Sequence, residues 1–223
     1  MVILVHGRPV TFGPGNAVLD HVDVLLASWI GGEAAGPALW EIINGEFNPS
    51  GRLPQTWPRS VGYVGSHADS KFGPEGLWQG DYIGMGWRDG EMNGPLYEIG
   101  AGLSYGGVDT FTFMKEDLTA SVSDLSFDVH VNIKSTAAPG GTVVQLYFSQ
   151  AVAQAVRPKL MLLAFAKVER STTTNVTLTI PVEDLGYFHP LTQTTNVDAG
   201  SYALHLGTSS AKLQAQTTLT LKH

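Results

Sequence analysis

The chain has 223 residues, and 43% of them are apolar, so it is long and apolar enough to bury a sizeable core. Charged residues make up only 15%, while glycine and proline occupy 26 and 12 positions, a mixture typical of a turn-rich globular protein. The formal charge of −7 argues against a nucleic acid partner or an anionic membrane surface. The lack of cysteine excludes disulfide scaffolds, cysteine zinc sites and thiol catalysis.

The first hundred residues have the pattern of an α/β fold. Residues 2–5 form a short β-branched apolar run, which predicts a strand covered on both faces. Residues 18–27 have helical or mixed spacing, which we interpret as a short helix followed by a strand over 24–29. Residues 34–44 carry apolar side chains on one helical face, and Asn44-Gly45 is a usual helix end.

The start of the chain predicts neither a signal peptide nor a membrane span. It lacks a basic segment and a long apolar core, and no stretch of the chain approaches the roughly 18 apolar residues of a span. Because the chain begins inside a buried strand, we expect further sequence to precede it.

Residues 46–107 have almost no periodicity and are rich in Gly, Pro, Trp and Tyr. All five tryptophans of the chain lie at or before residue 87. A segment of this length is typical of functional loops or of loops that pack against another domain. We expect Gly100 and Gly102 to permit a positive φ or a close backbone approach.

Beyond residue 111 the pattern changes to period two, without helical segments between the runs. This predicts an antiparallel sandwich of about 110 residues. We place the boundary at the change of pattern, which gives domains 1–107 and 108–223. The expected strands cover 121–133, 142–148, 160–168, 175–180, 202–206 and 213–221.

Motifs for cofactor or nucleophile chemistry are absent or out of context. Residues 102–106 match Gly-x-Ser-x-Gly, but a nucleophile elbow needs a strand before it and a helix after it. The seven histidines never stand four apart, and neither His-Glu-x-x-His nor a P-loop occurs. We therefore expect no metal and no cofactor.

Four segments of the first part carry a family resemblance. They are residues 2–9 (VILVHGRP), 27–33 (ASWIGGE), 45–54 (GEFNPSGRLP) and 95–105 (PLYEIGAGLSY). In this order they resemble the C-terminal part of family 3 glycoside hydrolases, the β-glucosidase and β-xylosidase family. His6 stands where Ser is common, and Ile30 where Pro is more usual.

Segments of the second part extend the resemblance over almost the whole chain. Residues 141–147, 163–165 and 198–202, with Arg157-Pro158, resemble the fibronectin type III-like domain that closes many members. The fold class implied is α/β plus all-β: a partial α/β sandwich domain followed by a fibronectin type III-like antiparallel β-sandwich.

The resemblance implies retaining hydrolysis of terminal, non-reducing β-D-glucosyl or xylosyl residues by the whole enzyme. Such hydrolysis needs two carboxyl groups. The resemblance assigns the nucleophile to an Asp of a barrel and the acid/base to a Glu in the first half of the α/β domain, both upstream of Met1. No catalytic residue is therefore carried over, Glu33 matches neither position, and we expect the isolated chain to be inactive.

Candidate substrate-binding residues lie in the loop over 72–89, which resembles a loop near the active-site mouth of whole enzymes. Trp78 would stack on a sugar ring, and Glu75 or Asp81 would form a hydrogen bond with the same sugar. The alternative is that this loop packs against the missing barrel.

Asn175 begins an N-glycosylation triplet, which matters only if the protein is secreted. The sequence leaves the compartment open.

Two other interpretations stay open. The chain is a non-catalytic module that binds a polysaccharide or a partner subunit through its Trp-rich loops, or a truncated product that exposes sheet edges and core. The partners expected are a β-linked glucoside or xyloside of the whole enzyme and the missing N-terminal barrel region or a partner chain.

Overall fold

A computed structural model describes the chain over eight ranges. They are residues 1–12, 14–59, 95–106, 109–135, 140–150, 160–169, 173–189 and 191–223. The described residues up to 106 form a small α/β part, and those from 109 onward form an antiparallel β-sandwich. The fold class expected from the sequence is confirmed.

The α/β part is built on two short parallel strands and one helix. Strand β1 (Val2–Leu4) pairs in parallel with strand β2 (Leu25–Ala27). A 3-10 turn at Leu19–His21 stands where a short helix was expected. Helix α1 (Ala35–Ile43) confirms the helix expected over 34–44, and it is followed by Gly45 in the left-handed region at φ +82°.

These elements bury little of their apolar surface. The strands β1 and β2 are half-buried or exposed throughout, and no residue of α1 is buried. Val5, Ile30 and Trp40 are 72%, 77% and 63% exposed. Since parallel sheets are normally covered on both faces, the described residues leave apolar surface of this part open. No helix among them is long and apolar enough to cross a membrane.

The strands of the second part are β3 (Asp109–Phe113), β4 (Leu118–Ser121), β5 (Ser126–Ser135), β6 (Gly141–Ser149), β7 (Met161–Glu169), β8 (Thr173–Pro181), β9 (Tyr187–His189), β10 (Thr194–Asn196), β11 (Gly200–Ser209) and β12 (Lys212–Lys222). The sandwich consists of a five-stranded sheet in the order β4-β12-β11-β6-β7 and a three-stranded sheet in the order β3-β5-β8. Neighbouring strands are antiparallel except β4 and β12, and a small hairpin joins β9 to β10.

The core lies between the two sheets, and β5 shows why the sequence predicts it. Val129, Val131 and Ile133 are buried, whereas the intervening His130 is exposed. This alternation places every second side chain in the core, as the pleat of a strand requires.

One expected strand is divided in the structure. The run over 121–133 belongs to two sheets, because β4 ends at Ser121 and β5 begins at Ser126. The carboxylate of Asp124 accepts a hydrogen bond from the N–H of Ser121 at 2.7 Å, which closes the turn between them. Strands β3, β4, β9 and β10 were not expected, and they are only three to five residues long.

Candidate functional site

Two loops of the α/β part lie side by side: the first loop spans residues 45–58 and the second loop spans residues 95–106. The N–H of Leu53 donates to the carbonyl of Ala101 at 2.9 Å, and the N–H of Gly100 donates to the carbonyl of Leu53 at 2.8 Å. The main chains therefore pair as strands do. This pairing brings together two motifs that are far apart in the sequence.

The side chain of Asn48 links the two loops further. Its Oδ1 accepts hydrogen bonds from the hydroxyl of Ser104 and from the N–H of Tyr105, both at 2.8 Å, and Asn48 itself is buried. The Ser104 hydroxyl thus donates to an amide in a packing contact.

Aromatic rings pack where the carboxyl end of β1 meets the first loop. The ring of His6 lies 4.5 Å from that of Trp29 and 5.2 Å from that of Trp57, between centroids. Trp57 is buried, and its indole N–H donates to the carbonyl of Val10. The Nε2 of His6 is buried with no hydrogen-bond partner among the described residues.

The backbone at this edge is strained. Trp29, which follows β2, has a φ of +55°, an uncommon and costly conformation for a bulky residue. In open α/β sheets, ligands bind beyond the carboxyl ends of the strands. The edge that carries His6 and Trp29 is therefore the part of the α/β unit best placed to meet a ligand or another domain.

The second loop packs on the outer face of β6, whose residues are buried at every position but the last. The Nε2 of Gln145 donates to the carbonyl of Thr208 at 2.7 Å and to that of Gly100 at 3.4 Å. The hydroxyl of Tyr147 donates to the Oε1 of Gln145. Both polar side chains of this face are thus satisfied within the contact between loop and sheet.

A carboxylate extends the same contact. The hydroxyl of Ser209 donates to the Oε1 of Glu98 at 2.7 Å, and the N–H of Ser210 donates to the carbonyl of Ile99 at 3.2 Å. Burial, and then the negative charge of Glu98, raise the pKa of Tyr147 well above its usual range. Its hydroxyl therefore stays protonated and remains a hydrogen-bond donor even in alkaline solution, where an ordinary tyrosine ionises.

The expectations for Gly100 and Gly102 are confirmed by the geometry. Gly100 has a φ of +82°. At Gly102 a Cβ atom would lie 2.7 Å from the carbonyl oxygen of Gly51 and 2.8 Å from the Nη1 of Arg52, so the loops approach closely only because no side chain is present.

The predicted sugar-binding residues Glu75, Trp78 and Asp81 lie outside the described residues. Their role stays a prediction. Asn175 lies in β8 with its side chain exposed, and its Oδ1 accepts a hydrogen bond from the Nδ2 of Asn132 at 2.7 Å. Glycosylation at Asn175 also stays a prediction. No three His, Asp or Glu side chains of the described ranges could together hold a metal ion.

The network around Gln145 and Glu98 was not expected from the sequence. One observation could have pointed to it, because Gln145 interrupts the apolar run of β6. A polar residue in the middle of a buried strand needs a hydrogen-bond partner.

Comparison with known proteins identifies the family. Residues 1–105 match the glycosyl hydrolase family 3 C-terminal domain, and residues 142–210 match the fibronectin type III-like domain. The chain belongs to glycoside hydrolase family 3. It corresponds to the C-terminal region of the enzymes of that family, as the motifs of the two loops predict.

The relatives of this family 3 chain include enzymes of two specificities. It is 30% identical to a periplasmic β-glucosidase of Salmonella typhimurium over 96% of its own length, and 29% identical to a β-xylosidase of Formosa agariphila over 94%. It spans only 28% of each of these relatives. The crystal structure of a Bifidobacterium adolescentis β-glucosidase is similar, with a TM-score of 0.82 and 27% identity, covering 98% of this chain and 32% of the other.

Two glycines with the same φ allow a test of the contact between the second loop and Gln145 in this family 3 chain. Gly45 and Gly100 both have φ +82°, but a Cβ at Gly45 would meet nothing within 4 Å, whereas at Gly100 it would lie 2.7 Å from the Nε2 of Gln145. We expect Gly45→Ala to lower the free energy of unfolding by about 1 kcal/mol through backbone strain alone. Gly100→Ala should lower it by roughly 1–3 kcal/mol more, because Gln145 cannot move without losing its hydrogen bonds.

Urea denaturation of the two variants beside the parent chain measures both losses. Equal losses for Gly45→Ala and Gly100→Ala would show that the loop does not press on Gln145.

Proposed function

We propose that the chain is the non-catalytic C-terminal portion of a β-glucosidase-like enzyme. The match of residues 1–105 to the family 3 C-terminal domain carries this proposal, together with the similarity to β-glucosidases over almost the whole chain. The whole enzyme would hydrolyse O-glycosyl bonds at terminal, non-reducing β-D-glucosyl residues with retention. The β-xylosidase among the relatives keeps a β-xyloside as the alternative substrate.

The chain by itself would not hydrolyse glycosides. Retention requires a nucleophile and an acid/base about 5–5.5 Å apart. The family resemblance assigns the nucleophile to a (β/α)8 barrel, which takes about 250 residues, more than the 223 of this chain. Both reactive carboxylates would therefore come from the rest of the enzyme.

The exposed apolar surface of the α/β part would be the surface that contacts the rest of the enzyme. Val5, Ile30 and Trp40 are largely exposed, and the Nε2 of His6 has no partner among the described residues. The remaining strands and helices of an α/β sandwich domain would cover the apolar side chains and complete the parallel sheet. A barrel or partner chain would then lie beyond the strained edge at Trp29.

We further propose the sequence-based boundary between residues 107 and 108, so that 1–107 belong to the α/β domain and 108–223 to the fibronectin type III-like domain. The change from irregular to period-two patterning supports it.

The sugar at an outer subsite of the whole enzyme would be contacted by Glu75, Trp78 and Asp81. In that enzyme, Trp78→Ala should raise KM for oligosaccharides while kcat changes little; an unchanged KM would refute the assignment.

Asn175 would carry an N-glycan if the protein passes through a secretory pathway. Its side chain is exposed, and the acceptor triplet ends at Thr177. The mass of the chain secreted from a glycosylating host, compared with that of Asn175→Gln, tests this proposal. Identical masses before and after glycosidase treatment would contradict it.

The purified chain is expected to release no nitrophenol from aryl β-glucosides or aryl β-xylosides. Far-UV circular dichroism should first show that the chain is folded, and the Salmonella typhimurium relative at equal molar concentration serves as the positive control. Turnover that Glu33→Gln abolishes, while the similarly exposed Glu41→Gln leaves it intact, would place a reactive carboxylate in this chain and overturn the proposal.

A further inference from the structure

The junction between helix α1 and the first loop carries an asparagine followed by a glycine. Asn44 is the last residue of the helix end, with φ −85° and ψ −2°, and Gly45 follows it at φ +82°. Both residues are exposed. A Cβ atom at Gly45 would meet nothing within 4 Å, so this turn is open to water.

Such a pair has a reaction of its own. The main-chain nitrogen of the glycine can attack the side-chain Cγ of the asparagine, because glycine has no side chain to hinder the approach. The nitrogen gives up its proton to water, the new N–Cγ bond forms, the Cγ–Nδ2 bond breaks, and ammonia leaves with a proton from the solvent. Water then opens the resulting five-membered imide at either carbonyl carbon, which yields aspartate or isoaspartate. One water is consumed and one ammonia is released, so no oxidant or cofactor is needed.

A hydrogen bond holds the amide of Asn44 beside the attacking group. The N–H of Glu46 donates to the Oδ1 of Asn44 at 3.1 Å. This bond keeps the side chain folded over the turn that contains Gly45. It also places a donor at the oxygen on which negative charge develops during the attack.

The helix end opposes the reaction, but only weakly. A ψ of −2° directs the nitrogen of Gly45 away from Cγ, so the main chain at Asn44 must rotate before the ring can close. The N–H of Gly45 donates to the carbonyl of Ile42 at 3.2 Å, and rotation breaks this bond. The N–H of Phe47 donates to the carbonyl of Glu41 at 2.9 Å and closes the same turn. No residue of α1 is buried, so opening this last turn loses little apolar contact and costs little free energy.

The other asparagines of the described ranges lack this combination, because only Asn44 precedes a glycine. Asn132 and Asn175 lie within strands β5 and β8, and each precedes a β-branched residue that hinders attack by its nitrogen. Asn48 is buried and precedes a proline, which has no N–H. These residues serve as internal controls in the same molecule.

We propose that Asn44 is a modification site of this chain, at which the amide converts spontaneously to aspartate and isoaspartate. Each product adds a negative charge between Glu41 and Glu46, at the C-terminal end of α1, where the helix dipole disfavours an anion. Isoaspartate also lengthens the main chain by one methylene group at the entry to the first loop. The site does not rest on the proposed function, because the reaction uses only atoms of this chain and water.

Ageing of the folded 223-residue chain in warm, mildly alkaline buffer tests the proposal. Cleavage after Glu41 and Glu46 releases residues 42–46, in which Asn44 is the only asparagine. This peptide should gain the mass of an amide-to-acid exchange and become a substrate for an isoaspartyl methyltransferase. Its rate should exceed those of Asn132 and Asn175 at least about tenfold, because a terminal turn opens far more often than a core strand. Mild urea should change the rate little, since fraying of one turn exposes little surface.

Asn44→Gln is the matched control variant, because its longer side chain would have to close a larger ring while it keeps the amide. Residues 42–46 of this variant should keep their mass under the same conditions. If this variant does not fold, the comparison of Asn44 with Asn132 and Asn175 in the parent chain decides the outcome. Conversion of Asn44 no faster than that of the two strand asparagines would overturn the proposal. A rate that rises steeply with mild urea would also overturn it, because the reaction would then require global unfolding.

Discussion

Strand β6 is buried on both faces, and the arrangement of the loops around it follows from that constraint. Its inner face contributes Val144 and Leu146 to the core of the sandwich. Its outer face carries Gln145 and Tyr147, whose polar groups would each cost about 1–3 kcal/mol if buried without partners. Thr208 of β11 supplies the nearer acceptor for Gln145, and the second loop supplies a longer one at Gly100 together with the cover. Only a glycine at position 100 lets the loop come so near.

The loops that carry the family motifs are therefore packing elements. Asn48 accepts two hydrogen bonds from the second loop, and Glu98 accepts one from Ser209 of the sandwich. These contacts fix the sandwich against the α/β part without any reactive group. This agrees with the match of the chain to the family 3 C-terminal domain followed by the fibronectin type III-like domain.

The sequence predicted the parts of the fold whose patterns are long enough to show a period. Helix α1 and the strands of the sandwich core repeat their apolar positions often enough to be found, whereas β9 and β10, with three residues each, do not. Strand β1 is equally short, but its β-branched apolar run predicted it without a period. The pairing of the two loops has no periodic pattern, because it depends on main-chain hydrogen bonds between distant segments. The family resemblance placed these segments in order, but their contact with Gln145 is visible only in three dimensions.

The second loop couples the α/β part to the sandwich through its contacts with Ser209 and Ser210. Tryptophan fluorescence reports on the α/β part, since all five tryptophans lie at or before residue 87, while far-UV circular dichroism reports mainly on the strands of the sandwich. Urea unfolding followed by both probes on one sample should give coincident transitions, as expected for a cooperative unit. Two separate midpoints, with the fluorescence change complete before the strands unfold, would contradict the coupling.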